Sequence, residues 1–251
     1  MEQGLEGKVA LVTGGNGSIG RAVVRALSDA GAIVVSADMA SVRDGDAGSR
    51  VEGAALDVTS RESVLQVVNG IVERHSTLDI LVNAAGVVSF GSAETLLEDE
   101  WQRVMDINLK GVFLCCQAAM APMIAQHSGR IVNIGSLVGK NAGNARPWLD
   151  PDEQLRAGNI AYGVSKAGVH TLTLFLAKEL AGKGVTVNAV APGPIATAMT
   201  TAFPDALRAL IPVGRMGRPE DVANAVLFLA GSSNDFMTGE ILDLNGGMLC
   251  D

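Results

Sequence analysis

The chain has 251 residues, 48% of them apolar and only 4% aromatic, with a formal net charge of -8. That length suits one large α/β domain with a sizeable core, and the acidic balance argues against nucleic acid or an anionic membrane surface as a partner. No apolar run approaches the about 18 residues that cross a bilayer, residues 1–7 lack the basic and apolar regions of a secretory signal, and Cys115, Cys116 and Cys250 follow no zinc or redox spacing, so the expectation is a cytoplasmic protein with free thiols and no metal.

Residues 8–13 (KVALVT) are a short β-branched apolar run, the pattern of a buried strand. Gly14, Asn16, Gly17, Ser18, Ile19 and Gly20 follow, then a helical stretch that stops at Gly31. A glycine turn between strand and helix has the context of a dinucleotide-binding motif. The next apolar run ends at Asp38, 18 residues after Gly20. An acid there accepts hydrogen bonds from the two hydroxyls of an adenosine ribose and repels a 2′-phosphate. At an effective dielectric of about 20, a charge pair at about 4 Å is worth about 4 kcal/mol before screening. No arginine directly follows Asp38, and Arg43 lies beyond a loop. The expected cofactor is therefore NAD rather than NADP.

Residues 56–58 are read as the end of a third strand. Asp57 either meets an adenine amino group or leads into the helix expected over residues 60–74. A fourth strand over 78–82 runs into Asn83, Ala84, Ala85 and Gly86, small residues that let backbone approach a ligand. A long helical pattern over 98–126 contains Asn108, a poor mid-helix residue that signals a kink or a side-chain role. Pro122 is expected to bend or end that helix. Ser136 stands at the carboxyl end of a fifth strand, 130–134. The connection over 137–158 is long enough to be a lid or to carry local helix, with a turn expected at 152–157. The helix over 159–183 holds the only tyrosine, Tyr162, and Lys166 four residues on. That spacing puts both on one face, about 5–6 Å apart at Cβ. An ammonium there would stabilise a tyrosinate; bringing a phenol near neutrality takes roughly 4 kcal/mol and makes it a general acid/base. A strand over 186–190, a helical segment over 197–210, a helix over 219–230 opened by Pro219, Glu220 and Asp221, and a strand over 241–244 complete the chain. Such alternation predicts a parallel sheet with helices on both faces in a single domain.

Taken in order, Thr13-Gly14 through Gly20, Asp57, Asn83-Ala84-Ala85-Gly86, Asn108, Ser136, Tyr162 with Lys166, and Pro192-Gly193 with Thr197 resemble the motifs of the short-chain dehydrogenase/reductase family. The resemblance covers essentially the whole chain. It implies an α/β fold, a Rossmann-type doubly wound parallel sheet of six to seven strands, over residues 1–251, with a substrate pocket formed by loops 140–158 and 194–215. It implies that Tyr162 is the acid/base, that Lys166 lowers its pKa and holds the nicotinamide ribose, that Ser136 bonds the substrate oxygen, and that Asn108 holds a relay water. On the cofactor side it implies Gly14, Asn16, Gly17, Ser18, Ile19 and Gly20 around the pyrophosphate and nicotinamide. Asp38, Asn83, Ala84 and Gly86 fall by the adenosine ribose, Asp57 and Val58 by the adenine, and Pro192, Gly193, Ile195 and Thr197 by the carboxamide.

Three departures stand out. Ser18 occupies a position where the family usually has glycine, and Ala84 replaces an asparagine. The interval from Ser136 to Tyr162 is about twice the family's. The extra length falls in the 140–158 loop, whose Arg146, Trp148, Asp150, Asp152, Glu153 and Arg156 are candidate substrate or subunit contacts. The apolar segment 197–211, with Phe203, suggests a partly apolar pocket. The expected function is an NAD-dependent oxidoreductase interconverting a secondary alcohol and a ketone, running oxidatively. The close alternative is a 3-oxoacyl thioester reductase, which in this family usually uses NADPH. A catalytically silent NAD-binding regulatory subunit is the alternative from another class. The resemblance further implies a homotetramer, built through the helices that carry Asn108 and Tyr162 and through the C-terminal region.

Overall fold

The computed structural model describes residues 4–40, 50–143, 152, 153, 155, 158–197, 200 and 205–250. Seven strands run in chain order: β1 (Val9–Thr13), β2 (Ile33–Asp38), β3 (Val51–Ala55), β4 (Ile80–Asn83), β5 (Gly129–Ile134), β6 (Val185–Pro192) and β7 (Ile241–Leu244). They form one parallel sheet in the order β3-β2-β1-β4-β5-β6-β7. The central strands are buried almost throughout because both faces are covered. In β1, Val9 and Leu11 enter one core layer while Ala10 and Val12 enter the other.

The helices are α1 (Ser18–Asp29), α2 (Arg61–His75), α3 (Glu98–Met105), α4 (Gly111–Ala125), α5 (Val138–Asn141), α6 (Ile160–Leu180), α7 (Asp205–Arg208) and α8 (Pro219–Ala230). Helices α1 and α8 cover one face through Val23, Val24, Leu27, Val222, Val226 and Leu229. On the other face, α2, α4 and α6 bury Val64, Ile71, Cys116, Met123, Val169 and Leu180. Cys115 and Cys116 are interior thiols; burial pushes Cys115 up to about 12, and Cys116 higher still. Thiols so placed are inert packing groups.

The six to seven parallel strands expected from the sequence are seven. Helix 219–230 and strand 241–244 fall at their expected ends. Four local expectations change. Strand β3 stops at Ala55, so residues 56–58 follow it: Leu56 N–H makes a last bond to Asp38 at 2.8 Å, and the chain then turns. The single long helix is α3 and α4 joined by a π-helical turn, Asp106–Lys110. Pro122 lies inside the last turn of α4, which ends three residues later at Ala125. Among the described residues of 197–210, only Asp205–Arg208 is α-helical.

The continuous helical run Glu98–Ala125 is long and apolar enough by composition to cross a bilayer, against the expectation that no segment is. Many of its apolar residues are core, among them Val104, Val112, Leu114, Ala119 and Met123, while Phe113 is exposed.

Candidate active site

The strand order reverses between β1 and β4, and a crevice outside the carboxyl ends of the strands is expected there. Gly14 leaves β1 with φ +67°, and a Cβ on it would lie 2.6 Å from the Ala85 backbone. Gly20 packs α1 so closely on the turn that a Cβ would strike the Gly14 carbonyl oxygen. Gly17 caps α1, no side chain bonds the exposed N-terminal amides, and Gly17 and Ser18 are open to solvent. Uncapped amides at a helix N-terminus form an anion cradle. Ser18 opens the helix without closing this cradle. Asp38, at the end of β2, accepts from the Asn16 amide at 3.0 Å and the Met39 amide at 2.8 Å. Asn16 also donates its side-chain amide to the Ala40 carbonyl at 2.8 Å, so the acid and the glycine turn brace each other. A turn packed too closely for side chains at Gly14 and Gly20, with uncapped helix amides and a fixed carboxylate beside it, fits an adenosine dinucleotide.

The reacting end lies where β5, α6 and the π-turn meet. Tyr162 and Lys166 share one face of α6, and the Lys166 ammonium lies 5.8 Å from the centroid of the Tyr162 ring. Lys166 is buried and donates to the Ile134 carbonyl at 2.7 Å, at the end of β5. Burial pushes the lysine down to about 8. The Tyr162 phenol is pushed up by burial, and the neighbouring Ser136 hydroxyl works the other way. In the free protein the influence that opposes burial at the phenol is Ser136, and Lys166 is not among the causes that act on it. The ammonium lies by the ring rather than at the hydroxyl, and it bonds a carbonyl.

Asn108 is fully buried on the π-turn. Its Oδ1 accepts from the Val87 amide at 2.8 Å, and its Nδ2 donates to the Val87 carbonyl at 2.9 Å and to Ser165 Oγ at 3.1 Å. Three of its four bonding positions are thereby filled by protein. This clamp is a fixed role that the expected relay water does not explain. A Cβ on Gly86 would stand 3.4 Å from Asn108 Oδ1 and 3.5 Å from Lys166 Nζ.

The other expected residues divide. Ile195 is buried, and the Thr197 amide donates to Thr200 Oγ1 at 2.8 Å. Pro192 ends β6, and Gly193 passes so close to the strand-end turn that a Cβ would lie 2.9 Å from Asn245 Cα. Ile19 is partly buried, and Ala84 is half-exposed at the end of β4. Asn83 points inward, donating to Asn133 Oδ1 at 2.9 Å, so only its backbone faces the crevice. Asp57 Oδ1 accepts from Thr59 N–H at 2.9 Å and from Thr59 Oγ1 at 2.7 Å. That turn leads to Ser60, which caps α2, as the helix lead-in reading had it. Val58 is buried against Gly111. Arg43, Arg146, Trp148, Asp150, Arg156 and Phe203 lie outside the described residues. Of the loop candidates, Asp152 is exposed and Glu153 half-buried. The far end of the loop is tied back where the Gly91 amide donates to the Gly158 carbonyl at 2.6 Å.

Sequence reasoning missed Val87, Ser165 and His170. The first acts through its backbone and left no signal. The other two were legible, since Ser165 and His170 share a helix with Tyr162 and Lys166. His170 Nε2 accepts from the Ser136 amide at 3.3 Å.

A doubly wound sheet with a dinucleotide cradle at its switch point, and an adjoining serine, tyrosine and lysine, defines a nicotinamide-dependent oxidoreductase. A family model described as enoyl-(acyl carrier protein) reductase matches residues 14–249. The chain is 38% identical to the 3-oxoacyl-[acyl-carrier-protein] reductase FabG of Thermotoga maritima, over 98% of this chain and 99% of that one. It is 40% identical to the FabG of Vibrio cholerae, over 97% and 98%. The crystal structure of gox2181 superposes with a TM-score of 0.90 at 38% identity, covering 98% of this chain and 97% of that one. The chain belongs to the short-chain dehydrogenase/reductase family.

Proposed function

We propose that the chain reduces a 3-oxoacyl thioester to the 3-hydroxyacyl thioester, with NADH as reductant. The observation that carries the chemistry is the Ser136 hydroxyl standing close enough to the Tyr162 phenol to act on it against the push of burial. Two neighbouring hydroxyls mark a point where one carbonyl oxygen can accept from both. In a 3-oxoacyl thioester that oxygen sits on the carbon that takes the hydride, whereas an enoyl thioester places it two bonds away on the thioester carbonyl; the choice of ketone over enoyl reduction rests on the relatives' names. The substrate class rests on whole-length similarity to proteins named 3-oxoacyl-[acyl-carrier-protein] reductase. That similarity favours the thioester over the broader expectation of an unspecified secondary alcohol oxidised in the cell. The catalytically silent reading has no support in a site with Asn108, Ser136, Tyr162 and Lys166 all in place.

The turn at Gly14–Gly20 and the N-terminus of α1 would hold the pyrophosphate, and Asp38 the adenosine ribose. When bound, the cofactor supplies the hydride. Ser136 orients the ketone oxygen. Tyr162 gives that oxygen its phenolic proton as the carbon is reduced, leaving a tyrosinate. Lys166, while protonated, favours that tyrosinate electrostatically. NADH is preferred to NADPH because the Asp38 carboxylate, held by two backbone amides, would face a 2′-phosphate.

The homotetramer implied by the family resemblance is part of this proposal. Phe113 on α4 and Phe175 on α6 are 39% and 71% exposed. Phe113, Met105, Leu109 and Leu172 line a depression of about 440 Å³ on the outer helical face, away from Tyr162.

The test offers the protein 3-oxobutanoyl thioester, simple ketones and an enoyl thioester, each with NADH or NADPH, and follows cofactor absorbance. The highest kcat/KM is expected for the 3-oxo thioester with NADH. A simple ketone or the enoyl thioester turned over faster would overturn the substrate assignment, and NADPH at or above NADH would overturn the cofactor assignment.

A further inference from the structure

We propose that His170 is a positioning residue for Ser136, holding the serine's peptide through an acceptor Nε2 that only a neutral imidazole protonated at Nδ1 provides. The inference rests on the reading of Ser136 as the group that orients the substrate oxygen.

The need arises from strand geometry. The amides of Gly135 and Leu137 donate to Val190 and Pro192 on β6, at 2.8 and 2.9 Å. The Ser136 amide between them points away from β6. On that side β4 has ended at Asn83, which pairs with Asn133. A buried amide has to find an acceptor, and His170 Nε2 is the one it finds, at 3.3 Å. The histidine comes from α6, eight residues after Tyr162 and four after Lys166, on the same helical face. One helix thus carries the acid, the cation and the group that fixes the serine.

The turn is shaped around this ring. A Cβ on Gly135 would strike His170 Nε2 and lie 2.6 Å from its Cδ2. A Cβ on Gly139 would lie 3.0 Å from its Cε1 and 2.7 Å from the Ala167 amide. Glycines on both sides of Ser136 let imidazole and helix close against the backbone.

The surroundings hold the ring neutral. Two cations act on it, Lys166 from α6 and Lys140 from α5, the latter paired with Asp243 of β7 at 2.8 Å. With burial as the leading cause, they push the imidazole down to about 4. A proton at Nε2 would set one N–H against another and release the Ser136 peptide. Ser136 Oγ, which accepts from the Val138 amide at 3.3 Å and acts on the Tyr162 phenol, would lose its placement.

Two measurements decide this. The first needs no substrate: nitrogen-15 NMR of the full chain, which has three histidines, His75, His127 and His170. A His170 signal of the Nδ1–H tautomer that stays neutral to about pH 5 is expected. An Nε2–H tautomer, or an imidazolium at neutral pH, would overturn the proposal. The second compares His170→Leu with His170→Gln, whose amide oxygen can take the acceptor's place. For the ketone that the wild type reduces, kcat should fall about tenfold or more in His170→Leu. The KM for NADH should not move, and His170→Gln should recover most of the loss. Equal kcat in wild type and His170→Leu, or no recovery in His170→Gln, would also sink it. If His170→Leu does not fold, the tautomer decides alone. If the wild type reduces none of the ketones, the functional reading fails while the tautomer still tests this one.

Discussion

Lys166 shows how burial and chemistry oppose each other at a single residue. The unfolded chain keeps this lysine protonated to about 10.5, the folded chain only to about 8. Between those values the unfolded state binds more protons, so stability rises with pH across that window. Below it, the buried lysine burdens the fold by about 3 kcal/mol. Lys166→Met should therefore be more stable than wild type at pH 7, by up to about 3 kcal/mol, while losing ketone reduction. Urea unfolding at pH 7 and pH 10 checks this: the advantage should shrink at the higher pH, and a less stable variant at pH 7 would contradict it. The role proposed for the charge of Lys166 sets a pH limb: kcat/KM for ketone reduction should fall as pH rises through about 8. Tyr162, the only phenol, gives a spectroscopic readout of its own. In the free protein its ultraviolet ionisation should come at higher pH than that of a free phenol, because burial pushes it up. The spacing of Tyr162 and Lys166 was legible because helical geometry alone sets it. The Ile134 carbonyl that holds the ammonium was not, because strand β5 meets α6 only in the folded chain.

At the scale of elements, the π-turn Asp106–Lys110 is the point where sequence gave half the answer. An asparagine inside a helical pattern signalled a kink or a role, and the structure joins the two. The widened turn carries Asn108, whose amide clamps both backbone groups of Val87. Asn108→Ala would leave that amide and carbonyl without their partner, a loss of about 1–3 kcal/mol. A lowered Tm together with reduced turnover is expected; an unchanged Tm would show the clamp to be dispensable. Asp57 carries the opposite lesson. Its position after the third strand suited an adenine contact or a helix lead-in equally, and only the Thr59 bonds distinguish them. For the 140–158 loop, shortening it to family length should alter preference among 3-oxo thioesters of different chain length. Unchanged kinetics across that series would remove it from the substrate site.

The whole molecule joins these parts through its sheet. Short, mostly apolar runs alternating with helical patterns were enough to read a parallel, two-faced sheet from sequence, because strands buried on both faces are rich in apolar residues. The strand order was not written in any one strand, yet it places Gly14 and Asn83 on adjacent strand ends and sets Asp38 beside the glycine turn. In the function proposed above, this assembly delivers a proton from Tyr162 to a 3-oxoacyl oxygen, with NADH as the reductant. The most direct measurement is kcat for 3-oxobutanoyl thioester with NADH, and the Kd for NADH, in wild type and Tyr162→Phe. The account predicts turnover in the wild type, a loss of at least about a hundredfold in the variant, and an NADH Kd within a few-fold of the original. Retained turnover in Tyr162→Phe would contradict it.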